Sequence, residues 1–163
     1  MSTATEAQSL ALARLLDEEA AALRGFLDLL QKEQDALVRG DAEALLPLAE
    51  DKNRHFARLA LLAEGRNQAL ARLGLPADRP GVEAWLAGKG NLAAARRRWQ
   101  EMLEHLARVR ELNRTNGILI ATRLQHNQQA LQALLSAANQ AALYGPDGQA
   151  RPLGGGRHHL GSG

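Results

Sequence analysis

The chain has 163 residues, 45% hydrophobic but only 3% aromatic, with a net charge of +2 from 20 basic and 18 acidic residues. So even a balance exerts no long-range pull on nucleic acid or anionic lipid, and the absence of cysteine excludes disulfides and thiolate chemistry. Leu and Ala dominate the apolar set, which favours helices joined by narrow seams over strands.

No apolar run approaches the ~18 residues of a membrane span. The Met1–Glu6 terminus lacks the basic and apolar regions of a secretory leader. The expectation is therefore a cytoplasmic protein without membrane insertion.

A first helix is predicted from Thr5 to Arg39. Leu16, Ala20, Leu23, Leu27, Leu30, Gln34 and Leu37 recur in steps of four and three, a heptad seam with charges such as Asp17, Arg24 and Lys32 off it. Gly40-Asp41 supplies a left-handed stop and a new N-cap. A second helix follows over Ala42–Leu73, its inner face marked by Phe56, Leu59, Ala63, Leu70 and Leu73. Pro47 clashes with a helix interior, so the spacing predicts either a kink there or a helix beginning there. The short join makes these two helices an antiparallel hairpin.

Residues 74–90 read as a connector, with Gly74, Pro76 and Pro80-Gly81 as breakers and a short helix over Val82–Ala87 that turns Trp85 inward. The last helix runs from Asn91 to about Ala142 with no proline and one glycine, Gly117. Its seam reads Leu92, Ala95, Trp99, Met102, Leu106, Val109, then Asn113, Asn116 and Ile120, with Leu124, Leu131 and Leu134 beyond. After Leu143 the composition turns to glycine and proline, so 144–163 is predicted to be a flexible tail behind a single helical domain over 1–143.

Nothing in this pattern resembles an active site, and no cofactor, metal or catalytic residue is expected. The histidines do not combine with carboxylates at metal-ligand spacing, and Glu101 to His105 is one residue too long for the Glu-x-x-His of bundle metal sites. Arg96-Arg97-Arg98-Trp99 is the one basic run with an aromatic beside it. Glu101 and Glu104 follow at once, giving ordinary helix-face pairs rather than a nucleic-acid surface.

The informative stretch is Leu112 to Ile120. Asparagines on a helical seam are poor choices for stability, and a buried amide must find partners. They read as register-setting residues or as a break between two helices. Beyond them Leu119, Ile120, Leu124, Leu131, Leu134 and Leu135 continue an apolar stripe among Gln125, Asn127, Gln128, Gln129 and Gln132. Two helices of this length cover roughly 30–35 residues of a third. Either the last helix overhangs them and leaves the stripe for another protein, or it bends at Gly117 and folds back as a fourth member of a bundle. The expectation is a protein-binding surface at Asn113, Asn116, Leu119, Ile120, Leu124, Leu131, Leu134 and Leu135. The alternative is a coiled-coil adaptor that uses the same stripe to form a homo-oligomer.

The order of features resembles the FlgN family of flagellar export chaperones. The matching pieces are Lys52, Arg66 and Leu70, the ending Leu73-Gly74-Leu75, the segment Leu112-Asn113-x-x-Asn116-Gly117-x-Leu119-Ile120, and Leu143-Tyr144-Gly145-Pro146-Asp147-Gly148-Gln149. Pro47 departs from the pattern. The resemblance implies a cytosolic chaperone that binds the C-terminal helical ends of the hook-filament junction (hook-associated) proteins, prevents their premature assembly and delivers them to the flagellar export apparatus. It also implies substrate binding in the C-terminal helix, where the stripe lies.

Overall fold

The computed structural model describes residues 2–88, 90 and 92–143, with side chains through 140. They form four helices, and no strand occurs among them: α1 (Thr3–Arg39), α2 (Ala42–Arg72), α3 (Asp78–Leu86) and α4 (Ala93–Leu143). The fold is all-α, as the Leu/Ala composition predicts, with a long antiparallel hairpin sharing a core with α4. The chain divides into two compact units between Ile120 and Ala121.

Two residues turn the hairpin. Gly40 takes the left-handed conformation (φ 72°), which lets its own amide reach Leu37 O and the Asp41 amide reach Ala36 O at 2.9 Å. Asp41 then accepts from the Ala44 amide at 3.3 Å and opens α2. Pro47 does not start α2 but lies inside it, where its missing N–H leaves the exposed Glu43 carbonyl to solvent.

The end of α2 repeats the device of the first turn. Gly74 is left-handed (φ 70°), and the Leu75 amide donates to Leu70 O at 3.0 Å. The next helix begins four residues earlier than its breakers suggest. Pro80 falls in the first turn of α3, where no backbone donor is needed. Asp78 is left-handed (φ 61°) and is held by Asn67, which accepts from its amide at 2.9 Å and donates to its carboxylate at 3.0 Å. Gly81 is required by contact, since a Cβ there would stand 1.7 Å from the Pro76 carbonyl oxygen.

Of the expected α1 seam, Leu16, Ala20, Leu23, Leu30 and Leu37 are buried, while Phe26 and Glu33 are buried in place of Leu27 and Gln34, which are half-buried. Ala69 and Leu70 of α2, Val82, Trp85 and Leu86 of α3, and Trp99, Met102 and Val109 of α4 close over it. Polar ties fix the small helix: Trp85 Nε1–H donates to Ser9 Oγ at 2.9 Å, and the Arg96 guanidinium donates to Leu86 O at 2.6 Å. Phe56, expected on the inner face of α2, is instead 57% exposed and meets Phe26 edge-on at 5.5 Å. The predicted tail, 144–163, lies outside the described residues.

Candidate partner-binding surface

The α4 helix is continuous through Gly117, so neither break suggested by the sequence occurs. Its inner face holds Trp99, Met102 and Val109, with Leu106 and Leu112 packed against the core. The seam therefore passes from Val109 to Leu112 and not, as expected, to Asn113, which is exposed. Of the two adjacent positions it is the leucine that packs against the core, because an amide there would lose water without gaining a partner.

Asn116 is fully buried and has partners. Its Nδ2 donates to Leu30 O and to Glu33 Oε1, both at 2.9 Å. Glu33 in turn accepts from Lys52 Nζ at 3.2 Å. One carboxylate of α1 thus gathers an amide from α4 and an ammonium from α2, which fixes where α4 meets the hairpin.

Leu119 is half-buried and Ile120 is 47% exposed. In the second unit, every residue from Ala121 to Gln140 is exposed. Leu124 and Leu131 are each 57% exposed, Leu134 68% and Leu135 54%. On a helix, positions 124, 128, 131 and 135 share an arc of roughly 60°, so three leucines and Gln128 form one face, with Leu134 at its edge. No Asp, Glu, Lys or Arg occurs from Leu124 to Leu143. An exposed apolar face without charge can be desolvated at little cost, the property of a docking surface. Of the eight residues expected at the site, Leu124, Leu131, Leu134 and Leu135 are more than half exposed and Leu119 and Ile120 less so, while Asn116 serves the interior and Asn113 is an exposed amide in line with Leu124 and Leu131.

Sequence reasoning missed a second feature, within the first unit. Leu23, Phe56, Leu59, Ala63, Trp99 and Met102 line an apolar groove of about 300 Å³ between α2 and α4. Its floor carries an ion pair, the Arg66 guanidinium donating to Glu19 Oε1, and Arg66 Nη2 also reaches Asp78 Oδ1 at 3.3 Å. Burial pushes the Glu19 carboxyl above its ordinary range, against the opposing pull of Arg66 and with a smaller upward push from Asp78. Among the described residues Glu19 Oε2, Arg66 Nε and Trp99 Nε1 have no hydrogen-bond partner. The available signal in the sequence was the pair Phe56 and Trp99, two of the chain's few aromatics, each on a helix face next to small residues.

No three His, Asp or Glu side chains among the described residues converge as metal ligands, and no described helix is long and apolar enough to cross a membrane.

Comparison with known proteins places this arrangement. A flagella synthesis protein FlgN of Yersinia enterocolitica serotype O:8 is 30% identical over 138 residues, covering 83% of this chain and 86% of that protein. The flagella synthesis protein FlgN of Escherichia coli K12 is 28% identical over 140 residues, 85% of this chain and 88% of its own length. Its counterpart in Salmonella typhimurium is 42% identical over a shorter stretch of 52 residues, 32% of this chain and 36% of that protein. No solved structure gives a significant match. The profile of the FlgN protein family matches residues 7–152, a span that takes in the hairpin, the connector and all of α4. By that match and by relatives aligned over most of their length, the chain belongs to the FlgN family.

Proposed function

We propose that this chain is a cytoplasmic export chaperone of flagellum assembly. It binds the C-terminal helical ends of the hook-filament junction proteins, keeps them from assembling early and hands them to the flagellar export apparatus. Family membership supports the flagellar setting. The observation that carries the binding role is the uncharged leucine face of α4, with Leu124, Leu131, Leu134 and Leu135 each more than half exposed.

A client helix laid on that face would bury four leucines. Full burial contributes ~1.5–3 kcal/mol per side chain, and ordering the partner segment costs ~2–5 kcal/mol. The remainder, up to ~10 kcal/mol, reaches micromolar affinity only in its upper part, weak enough to release a client at the export gate. A charged rim would add affinity and salt dependence that a carrier does not need.

The test is capture of a purified junction protein by the Leu131→Asp/Leu134→Asp double variant. Capture should fall at least ~100-fold, with the far-ultraviolet circular dichroism of the chain unchanged, since both side chains are exposed. Unchanged capture by a chain of intact helicity overturns the proposed surface.

A further inference from the structure

We propose that the chain's own residues 149–160 lie back along the leucine face of α4 and cover it until a client displaces them. The cover rests on the face itself, and only the client's part in removing it rests on the function proposed above.

Leu124, Leu131, Leu134 and Leu135 stand more than half exposed on a stretch in which every residue from 121 to 140 is exposed. No Asp, Glu, Lys or Arg lies among them to keep other apolar surfaces away, and an apolar strip of that kind invites aggregation when nothing shields it. A second copy of the chain is a poor shield, because it has to be recruited from solution. A segment on a short flexible link is present at an effective concentration of about millimolar, roughly a thousandfold above a micromolar partner. Contacts too weak to join two molecules are therefore populated within one.

The sequence directly after α4 brings such a segment into place. The helix ends at Leu143, and Gly145-Pro146-Asp147-Gly148 follows. Proline cannot continue the helix. Pro-Asp followed by glycine is a turn sequence that reverses the chain, so what comes next heads back toward Leu124. Extended chain advances ~3.3 Å per residue and a helix ~1.5 Å, so each returning residue passes about two residues of α4. Leu153 thus draws level with Leu131 and Leu135, which lie roughly 12–18 Å back from the helix end. Leu160 has chain enough to reach Leu124, with Gly154, Gly155 and Gly156 between the two leucines to take up the slack. Beyond Gly148 the segment carries no acid. Its two arginines, Arg151 and Arg157, have stems long enough to keep their charges in water while the leucines face the helix.

Two leucines laid on one side of a helix make a weak cover, which suits a surface that has to open. If the face is covered about four-fifths of the time, a client meets one open face in five and its apparent affinity falls about fivefold.

The chain has no cysteine, so a nitroxide on Ala150→Cys reports from a single point in the full-length protein. It should broaden the methyl resonances of Leu131, Leu134 and Leu135 and leave those of Leu46 and Leu61, exposed on α2, sharp. Leu153→Ser/Leu160→Ser in the same chain should restore most of the lost intensity. Without the nitroxide, that double exchange should bind a purified junction protein about fivefold more tightly than the wild-type chain. Broadening that survives the double exchange would reflect nearness to the helix end alone and would overturn the proposal. So would broadening carried from nitroxide-bearing chains to separate methyl-labelled ones, since the cover would then come from a second copy. Equal client affinity with and without the double exchange would also overturn it. A chain that shows the reversible broadening yet binds no junction protein would uphold the cover and overturn the client reading instead.

Discussion

At the scale of single residues, two buried acids of α1 organise the bundle in different ways. Glu33 accepts from Asn116 and from Lys52, so its charge is met by a full cation and an amide. Hydrogen bonds to a charged group contribute about 1.5–3 kcal/mol each, which explains why a polar residue is tolerated at the most buried position of α4. Glu19 is met on one oxygen alone, and its carboxyl is raised by burial against the pull of Arg66. A carboxyl whose folded pKa exceeds the unfolded one binds its proton more tightly in the native state. It contributes stability below the unfolded value of 4.5, and that contribution is lost as pH rises through the higher folded value. The stability of the wild-type chain relative to Glu19→Gln, measured by urea unfolding at stepped pH, should therefore fall on going from pH 4.5 upward. A difference that rises over that interval would contradict the cause assigned to Glu19. The sequence allowed Asn116 to be singled out, because an amide in an apolar row is conspicuous. It did not distinguish Asn116 from Asn113, whose fate depends on whether Glu33 stands opposite, and that is a tertiary fact. Lys52 and Arg66, which carry part of the family resemblance, prove to be the two cations that meet Glu33 and Glu19.

At the scale of elements, the helix ends were the most legible part of the chain. Gly40-Asp41 and Gly74 act as their residue types require, since a left-handed residue is the cheapest way to satisfy the last carbonyls of a helix. The start of α3 was misplaced because Pro80 and Gly81 were read as breakers, when a proline in the first turn forfeits no bond. Gly81 is not there for turning. It lets α3 lie against the Pro76 carbonyl, and no local pattern announces a contact of that kind. Gly81→Ala should push α3 off its seat and cost about 2–4 kcal/mol by overpacking. The change should be visible as a shift in Trp85 emission as its bond to Ser9 is disturbed. An alanine variant with unchanged melting and emission would mean that the loop gives way freely. Pro47 was the opposite case, a warning sign inside a helix that nevertheless continues, because the one carbonyl it orphans faces water.

At the scale of the whole molecule, the described core lies between Leu12 and Leu112. Everything that holds the hairpin, α3 and the first half of α4 together is thus contained in the first unit. A chain ending at Ile120 should keep a cooperative thermal transition within a few degrees of the full-length protein, on the order expected when no buried contact is removed. It should also lose capture of junction proteins. Collapse of the fold on truncation would show that the second unit is structural. The leucine face of the second unit was readable because spacing and charge are properties of the sequence. The groove was not, because it arises where no helix lies between α2 and α4, and a missing neighbour leaves no mark on a periodic pattern.

The charge-free run of α4 has a practical corollary for mapping complexes. Trypsin needs Lys or Arg, and after Arg123 the next such residue is Arg151, which precedes Pro152 and resists cleavage, so the following usable bond is at Arg157. The whole leucine face therefore survives digestion as one fragment whether or not anything is bound to it. Footprints on this helix have to be read with a protease that cuts at leucine or aromatic residues, where bound and free chains give different fragments.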